Sequence, residues 1–285
     1  MKNRVTLVVM LAFISGGLLV SSCKKDDAVD VSKKDAISIT LDDAVASDLS
    51  DDIINEAEEI VAAGESSDYT YTSSKSGALT NSRTITVDKP GEKTNFPKLI
   101  TITYDNWTAA NGRVKNGVVL ISISERMWTA GSTRTITFEN LTINGYKVEG
   151  TKTVTFKGLV AGKYTIEASL SGGKITSPEG DYSIERSFTH TRTLEEGATT
   201  VLNIWDDVWY ISGTGQGKGR NGMSYKATIT SPLMFRTTCP WISKGTVVVK
   251  IENSKNVVLD FGDGTCNRSF TITVDGSSSD QNSLE

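Results

Sequence analysis

An all-β, antiparallel fold is predicted for this chain, either a sandwich or one large curved sheet of about a dozen strands, preceded by a single amphipathic helix. Three observations predict it. Runs such as Leu99-Ile100-Thr101-Ile102-Thr103-Tyr104, Thr135-Ile136-Thr137-Phe138-Glu139 and Ser269-Phe270-Thr271-Ile272-Thr273-Val274 alternate, with threonine on the polar side. That period of two marks half-buried antiparallel strands. Turn pairs fall between the runs, among them Asn111-Gly112, Asn116-Gly117, Asn144-Gly145 and Asn221-Gly222. A helical period occurs once, before the strands begin, and no βα alternation follows, so a parallel sheet is not expected.

The first element, residues 1–22, reads as a lipoprotein signal peptide. Lys2 and Arg4 precede an apolar run from Val5 to Val20, and Val20-Ser21-Ser22 leads into Cys23. A spanning helix needs about 20 apolar residues, and this run is shorter and broken by Ser15, Gly16 and Gly17. Lipid on Cys23 would then tie the protein to a membrane. Residues 23–40 read as a charged tether. Its opening, Lys24-Lys25-Asp26-Asp27, resembles the surface-export signal of Bacteroidota lipoproteins, which implies an outer-membrane protein facing outward.

Residues 41–65 form the predicted helix. Val45, Leu49, Ile53, Ala57 and Ile60 or Val61 make an apolar stripe, Thr40 is placed to cap the start, and Gly64 follows the stripe. The segment holds nine acidic residues and no basic one. It can bind a partner or dock on its own domain. Docking is favoured, because an isolated helix is marginal in water.

Residues 66–275 form the predicted β domain, with 276–285 a disordered polar tail. Residues 66–285 carry 24 basic and 21 acidic residues, a near-balance that argues against a nucleic-acid partner. With Cys23 lipidated, Cys239 and Cys266 remain; outside the cytoplasm they favour a disulfide over two free thiols. With one histidine and no Cys-x-x-Cys spacing, no metal site is expected.

The strings FPKLITITYDN, GSTRTITFENLTINGYKVEGTKTVTF, WDDVWYISGTGQGKGRNGMSYKATITSPL and VVLDFGDGTCN, from about Phe96 to Val274, resemble a family of uncharacterised Bacteroidota surface lipoproteins. The resemblance implies fold and location and leaves activity open. Asn267 stands where relatives usually carry Asp, and the polar tail puts their final edge strand in doubt.

No motif signals catalysis or a cofactor. Asp260-Phe261-Gly262-Asp263-Gly264-Thr265 resembles the signature turn of PKD modules and reads as a structural turn, the alternative being a calcium loop short of ligands. Gly217, Gly219 and Gly222 match GxGxxG, but a strand follows where a dinucleotide site needs a helix, so Gly213 to Gly222 reads as a flexible hairpin loop. His190 lies in an alternating strand without a nucleophile elbow. Adjacent carboxylates such as Asp206-Asp207 and Glu195-Glu196 point to opposite faces. The best ligand-binding candidate is Trp205, Asp207 and Trp209, which share a face of a straight strand and would stack on a sugar ring. Burial of both tryptophans in the core is the competing reading. Trp107, Trp128 and Trp241 are next. The function expected is therefore non-enzymatic, structural or binding a glycan or protein, with an extracellular hydrolase of polysaccharide or peptide as the alternative.

Overall fold

The computed structural model describes residues 32–69, 74–78, 81–92, 94–200, 203–252, 256–267, 269–274 and 277–281, with 74–78, 240 and 277–281 described by backbone alone. The expected signal peptide, Cys23 and the 24–27 tract lie outside the described residues.

Helix α1 spans Lys33–Ser66, so it takes in residues 33–40, assigned above to the tether. Ser32 caps it: its Oγ accepts from the Asp35 N–H at 3.1 Å. Thr40 is not a cap. It is buried one turn inside, where its hydroxyl donates to the Ala36 carbonyl at 2.9 Å. Ala36 and Ile39 are buried as well, and that apolar contact carries the helix past its polar opening.

Among the described residues fourteen strands follow: β1 (Ser74–Ala78), β2 (Asn81–Val87), β3 (Lys98–Thr108), β4 (Val114–Ile123), β5 (Thr133–Ile143), β6 (Tyr146–Val160), β7 (Lys163–Thr176), β8 (Ser183–Glu196), β9 (Val208–Lys218), β10 (Ser224–Arg236), β11 (Cys239–Ile251), β12 (Val257–Asp263), β13 (Phe270–Val274) and β14 (Ser277–Gln281). Each pairs antiparallel with its neighbours in the chain, giving one sheet in sequence order. Of the two predicted architectures, the single curved sheet is the one formed. No pairing among the described residues joins β14 to β1, so the sheet is open. Residues 277–281, expected in a disordered tail, form β14 against β13; strand pairing uses backbone groups and needs no apolar side chains to begin.

Bulges bend the sheet. Register shifts lie between Tyr104 and Trp107 on β3 and between Thr137 and Thr142 on β5. They meet at Gly117 of β4, whose φ is +101° and where a Cβ would come within 2.4 Å of the Asn140 carbonyl oxygen. Only glycine allows that approach.

The outer face is polar, as on β8, where Glu185, Thr189 and Thr191 are exposed. The inner positions of the same strand are Ile184, Arg186, Phe188, His190, Arg192 and Leu194, all buried. This alternating inner face explains what α1 does. The expected stripe is in place, with Leu49, Ile53, Ala57, Ile60 and Val61 buried and Val45 half-buried against the core, yet Asp42, Asp43, Ser50 and Glu65 are buried too. The sheet bends around the helix and sends cations inward to its carboxylates. Arg220 reaches Asp42 at 2.8 Å, Arg186 reaches Asp43 at 3.1 Å and Arg192 reaches Asp51 at 2.8 Å. Arg113 and Lys115 meet Asp52 at 2.9 and 2.6 Å, Arg83 meets Glu56 at 2.8 Å and Arg134 meets Glu58 at 2.8 Å. Lys152, wholly buried, donates to the Ser50 carbonyl. The helix is thus docked on its own domain.

Cys239, opening β11, bonds to Cys266 in the β12–β13 loop, with S–S 2.06 Å and Cα–Cα 5.8 Å. Both lie in the normal disulfide range.

Candidate functional site

A cavity of about 420 Å³ lies beside residues 52–59 of α1. Its lining holds four of the chain's five tryptophans: Trp107, Trp128, Trp205 and Trp209. They come from separate places. Trp107 lies near the end of β3, Trp128 in the β4–β5 loop, Trp205 in the short 3₁₀ turn Ile204–Asp206 and Trp209 in β9.

The predicted trio is therefore not a row on a straight strand. Asn203 caps the turn by accepting from the Trp205 N–H, which rotates Trp205 away from β9. Trp205 is 56% exposed, whereas Asp207 and Trp209 are buried. The Trp209 indole donates to Asp207 Oδ2 at 3.2 Å. All three still line the one cavity. Trp209 belongs to the core, while Trp205 is exposed. Trp128 is fixed by edge contact with Phe156 at 5.1 Å and a tilted contact with Tyr164 at 5.4 Å. The Arg83 guanidinium sits over the Trp107 ring at 5.5 Å.

The polar lining divides into satisfied and unsatisfied groups. Arg83, Lys115 and Arg192 are all engaged by helix carboxylates. Burial pushes the Asp52 carboxyl up, but the charges of Lys115 and Arg113 outweigh it and hold it below the usual value. Glu59, exposed to the cavity, has no hydrogen bond or ion pair to a described residue. Burial, and after it the neighbouring Glu56 charge, raise its carboxyl above the ordinary range. Burial raises Asp207 to about 6. Glu58 Oε2 and the Trp128 indole nitrogen are buried without a hydrogen-bond partner. Sequence reasoning missed Glu58 and Glu59. Glu59 continues the helical row Asp48, Asp52, Glu56 at a spacing of four, four and three, the one signal that could have marked it.

The other candidates lie elsewhere. His190 points inward from β8, stacked on Phe188 at 4.3 Å, and burial, with Arg186 beside it, brings it down to about 3. It is a neutral core residue at physiological pH. Asp260 and Asp263 accept from the N–H groups of Gly262 and Thr265 at 2.8 and 2.9 Å, which makes their string a structural turn. Gly213, Gly215 and Gly217 are strand residues of β9, a correction to the flexible loop expected there. At Gly217 a Cβ would come within 1.9 Å of the Glu185 carbonyl oxygen, so glycine serves strand packing. Asp206 accepts from the Thr200 hydroxyl at 2.7 Å and Glu195 pairs with Lys163 at 2.5 Å, so neither doublet acts as a pair. Trp241 lies outside the cavity, with the Arg113 guanidinium 5.9 Å from its ring centre.

Comparison with protein families, with curated proteins and with solved structures returns no match.

Proposed function

We propose that this chain is a lipid-anchored, non-enzymatic binding protein of the cell envelope whose ligand is a glycan held in the tryptophan cavity. The observation that carries the reading is the gathering of Trp107, Trp128, Trp205 and Trp209 around one space of about 420 Å³, with Trp205 exposed. Sugar rings present apolar CH faces and a rim of hydroxyls, and aromatic walls with a few acceptors match both. The cavity volume suits a mono- or disaccharide unit rather than a long chain. For the location, the support is the leader and Cys23, followed by the basic-then-acidic tract that resembles a surface-export signal. On that reading the anchor is lipid on Cys23, the site is the outer membrane facing outward, and the chain sits among the uncharacterised Bacteroidota surface lipoproteins it resembles.

The test is calorimetric titration of the soluble chain lacking residues 1–23 with a panel of oligosaccharides, beside Trp205→Ala and Trp107→Ala variants. Binding that weakens at least about tenfold in Trp205→Ala supports the reading. No binding across the panel, or binding indifferent to both tryptophans, sinks it. One observation favours a hydrolase instead: two carboxyl groups, Glu59 and Asp207, line the same cavity, and glycoside hydrolysis uses one protonated and one ionised carboxyl. Turnover of a panel sugar that disappears in Asp207→Asn would replace the binding reading with that one. Protease shaving of whole cells, with a Cys23→Ala control, tests the location; a protected wild type overturns surface display.

A further inference from the structure

Resting on the glycan reading of this cavity, we infer that its ligand carries a protonated amine, as an amino sugar does. The argument is one of charge pairing. Each cation in the lining already meets a helix carboxylate: Arg83 with Glu56 at 2.8 Å, Lys115 with Asp52 at 2.6 Å, Arg192 with Asp51 at 2.8 Å. Among the described lining residues every cation has a carboxylate partner, and only the Arg192 Nε is buried without a hydrogen bond. The acceptors, by contrast, are in surplus. Glu59 has no ion pair to a described residue, Glu58 Oε2 has no hydrogen-bond partner, and Asp207 accepts an indole N–H. A neutral sugar would leave Glu59 with only the more distant charges of Arg83 and Lys115 set against Glu56, while an ammonium group would pair with it directly.

The aromatic walls favour the same choice. An ammonium ion is attracted to the face of an indole, most strongly where water is excluded. The cavity already shows the contact once, in Arg83 over Trp107 at 5.5 Å. A bare divalent ion is a poorer fit, because no three His, Cys, Asp or Glu side chains among the described residues gather as a metal site needs. Acidic sugars meet the opposite environment, since a uronate would lie against Glu59 and Asp207.

The experiment titrates the soluble chain lacking residues 1–23, near neutral pH and at low salt, with three probes of equal length: a β-linked glucosamine oligomer, its N-acetylated counterpart and a galacturonate oligomer. The expected result is a preference of about tenfold or more for the free amine over the acetylated probe, and no measurable binding of the uronate. Glu59→Gln should bring the ratio close to one. Trp205→Ala should weaken both. Equal binding of amine and acetylated probes to the wild type overturns the amine inference while the glycan reading stands, as does a preference that survives Glu59→Gln. Binding of none of the three, together with capture of oligolysine, overturns both. A matching melting temperature of Glu59→Gln and wild type shows that the variant is folded.

Discussion

Asp52 and Glu59 stand seven residues apart on α1, about two turns, and their surroundings are opposite. Asp52 is met by Lys115 at 2.6 Å and Arg113 at 2.9 Å, with the Asn111 side chain donating at 2.7 Å, and its carboxyl is held low. Glu59 meets the cavity, and its carboxyl is held high. The row of acids continues along the helix, but β2 and β4 have no further inward cation to match it. Where every charge is matched the region is structural. Where the row outruns its ion-pair partners among the described residues, it borders a space lined with tryptophan. The comparison teaches that acidic character alone does not set a carboxyl's pKa; the placement of counter-charge, together with burial, does.

The largest expected effect breaks the matched region. Lys115→Met leaves Asp52 and Glu56 facing each other with one cation fewer, and should lower unfolding free energy by about 3–5 kcal/mol in urea titration. Adding Asp52→Asn to that variant should recover part of the loss, because uncompensated buried charge, rather than the missing attraction, makes up most of the penalty. A single variant as stable as wild type would mean the pair is solvated and the contrast with Glu59 is empty.

Second comes the disulfide. It closes a sequence separation of 27 residues, worth about 3–4 kcal/mol on the chain-entropy account. Cys239→Ser and reduction of the wild type should lower the melting temperature by similar amounts. Unchanged melting in both would show that the bridge does not constrain the unfolded chain.

Third is the pH dependence of the buried bases. Native His190 titrates near 3 against an ordinary 6.5. Between these values the unfolded chain binds a proton that the native state refuses, so stability falls as pH drops through that window, by up to about 1.4 kcal/mol per unit. Lys152, brought down to about 7 by burial, acts likewise higher up: stability should rise from about pH 7 to 10.5. Asp52, held low, also loses its contribution in acid, so His190→Gln should shrink the acid slope without abolishing it. Urea midpoints across pH measure both limbs. An acid limb identical in the variant would rule His190 out as a contributor.

The smallest effect sharpens the comparison from its other side. Glu59→Gln removes a carboxylate with no hydrogen bond or ion pair to a described residue, so stability should stay within about 0.5 kcal/mol of wild type, or rise. A loss near that of Lys115→Met would reveal a structural ion pair at Glu59.

Much of the fold was legible locally. Alternation in Leu99 to Tyr104 or Ser269 to Val274 marks a strand whatever surrounds it, and Asn144-Gly145 turns the β5–β6 hairpin through Asn144 at φ +50° and Gly145 at φ +83°. The site was legible in pieces. Trp205, Asp207 and Trp209 were found by type and spacing, but the straight strand drawn through them was wrong, because the Asn203 cap makes a turn that alternation does not foresee. Glu59 was invisible for another reason: it is one acid among nine, distinguished only by a partner absent from strands far away in the chain.

By itself, then, the sequence determined most of the strands and their turns, the helix stripe and the cysteine pair, because period, turn chemistry and residue type act over a few residues; β14 and the glycine-rich half of β9 escaped it. Tertiary structure alone decided that the helix is enclosed, that its start lies at Lys33, and that Arg83, Arg113, Lys115, Arg134, Arg186 and Arg192 point inward to meet it. It alone brought four tryptophans to one cavity. Those outcomes depend on which face of each strand turns inward and on how far the sheet bends, and both are settled only when every strand packs at once.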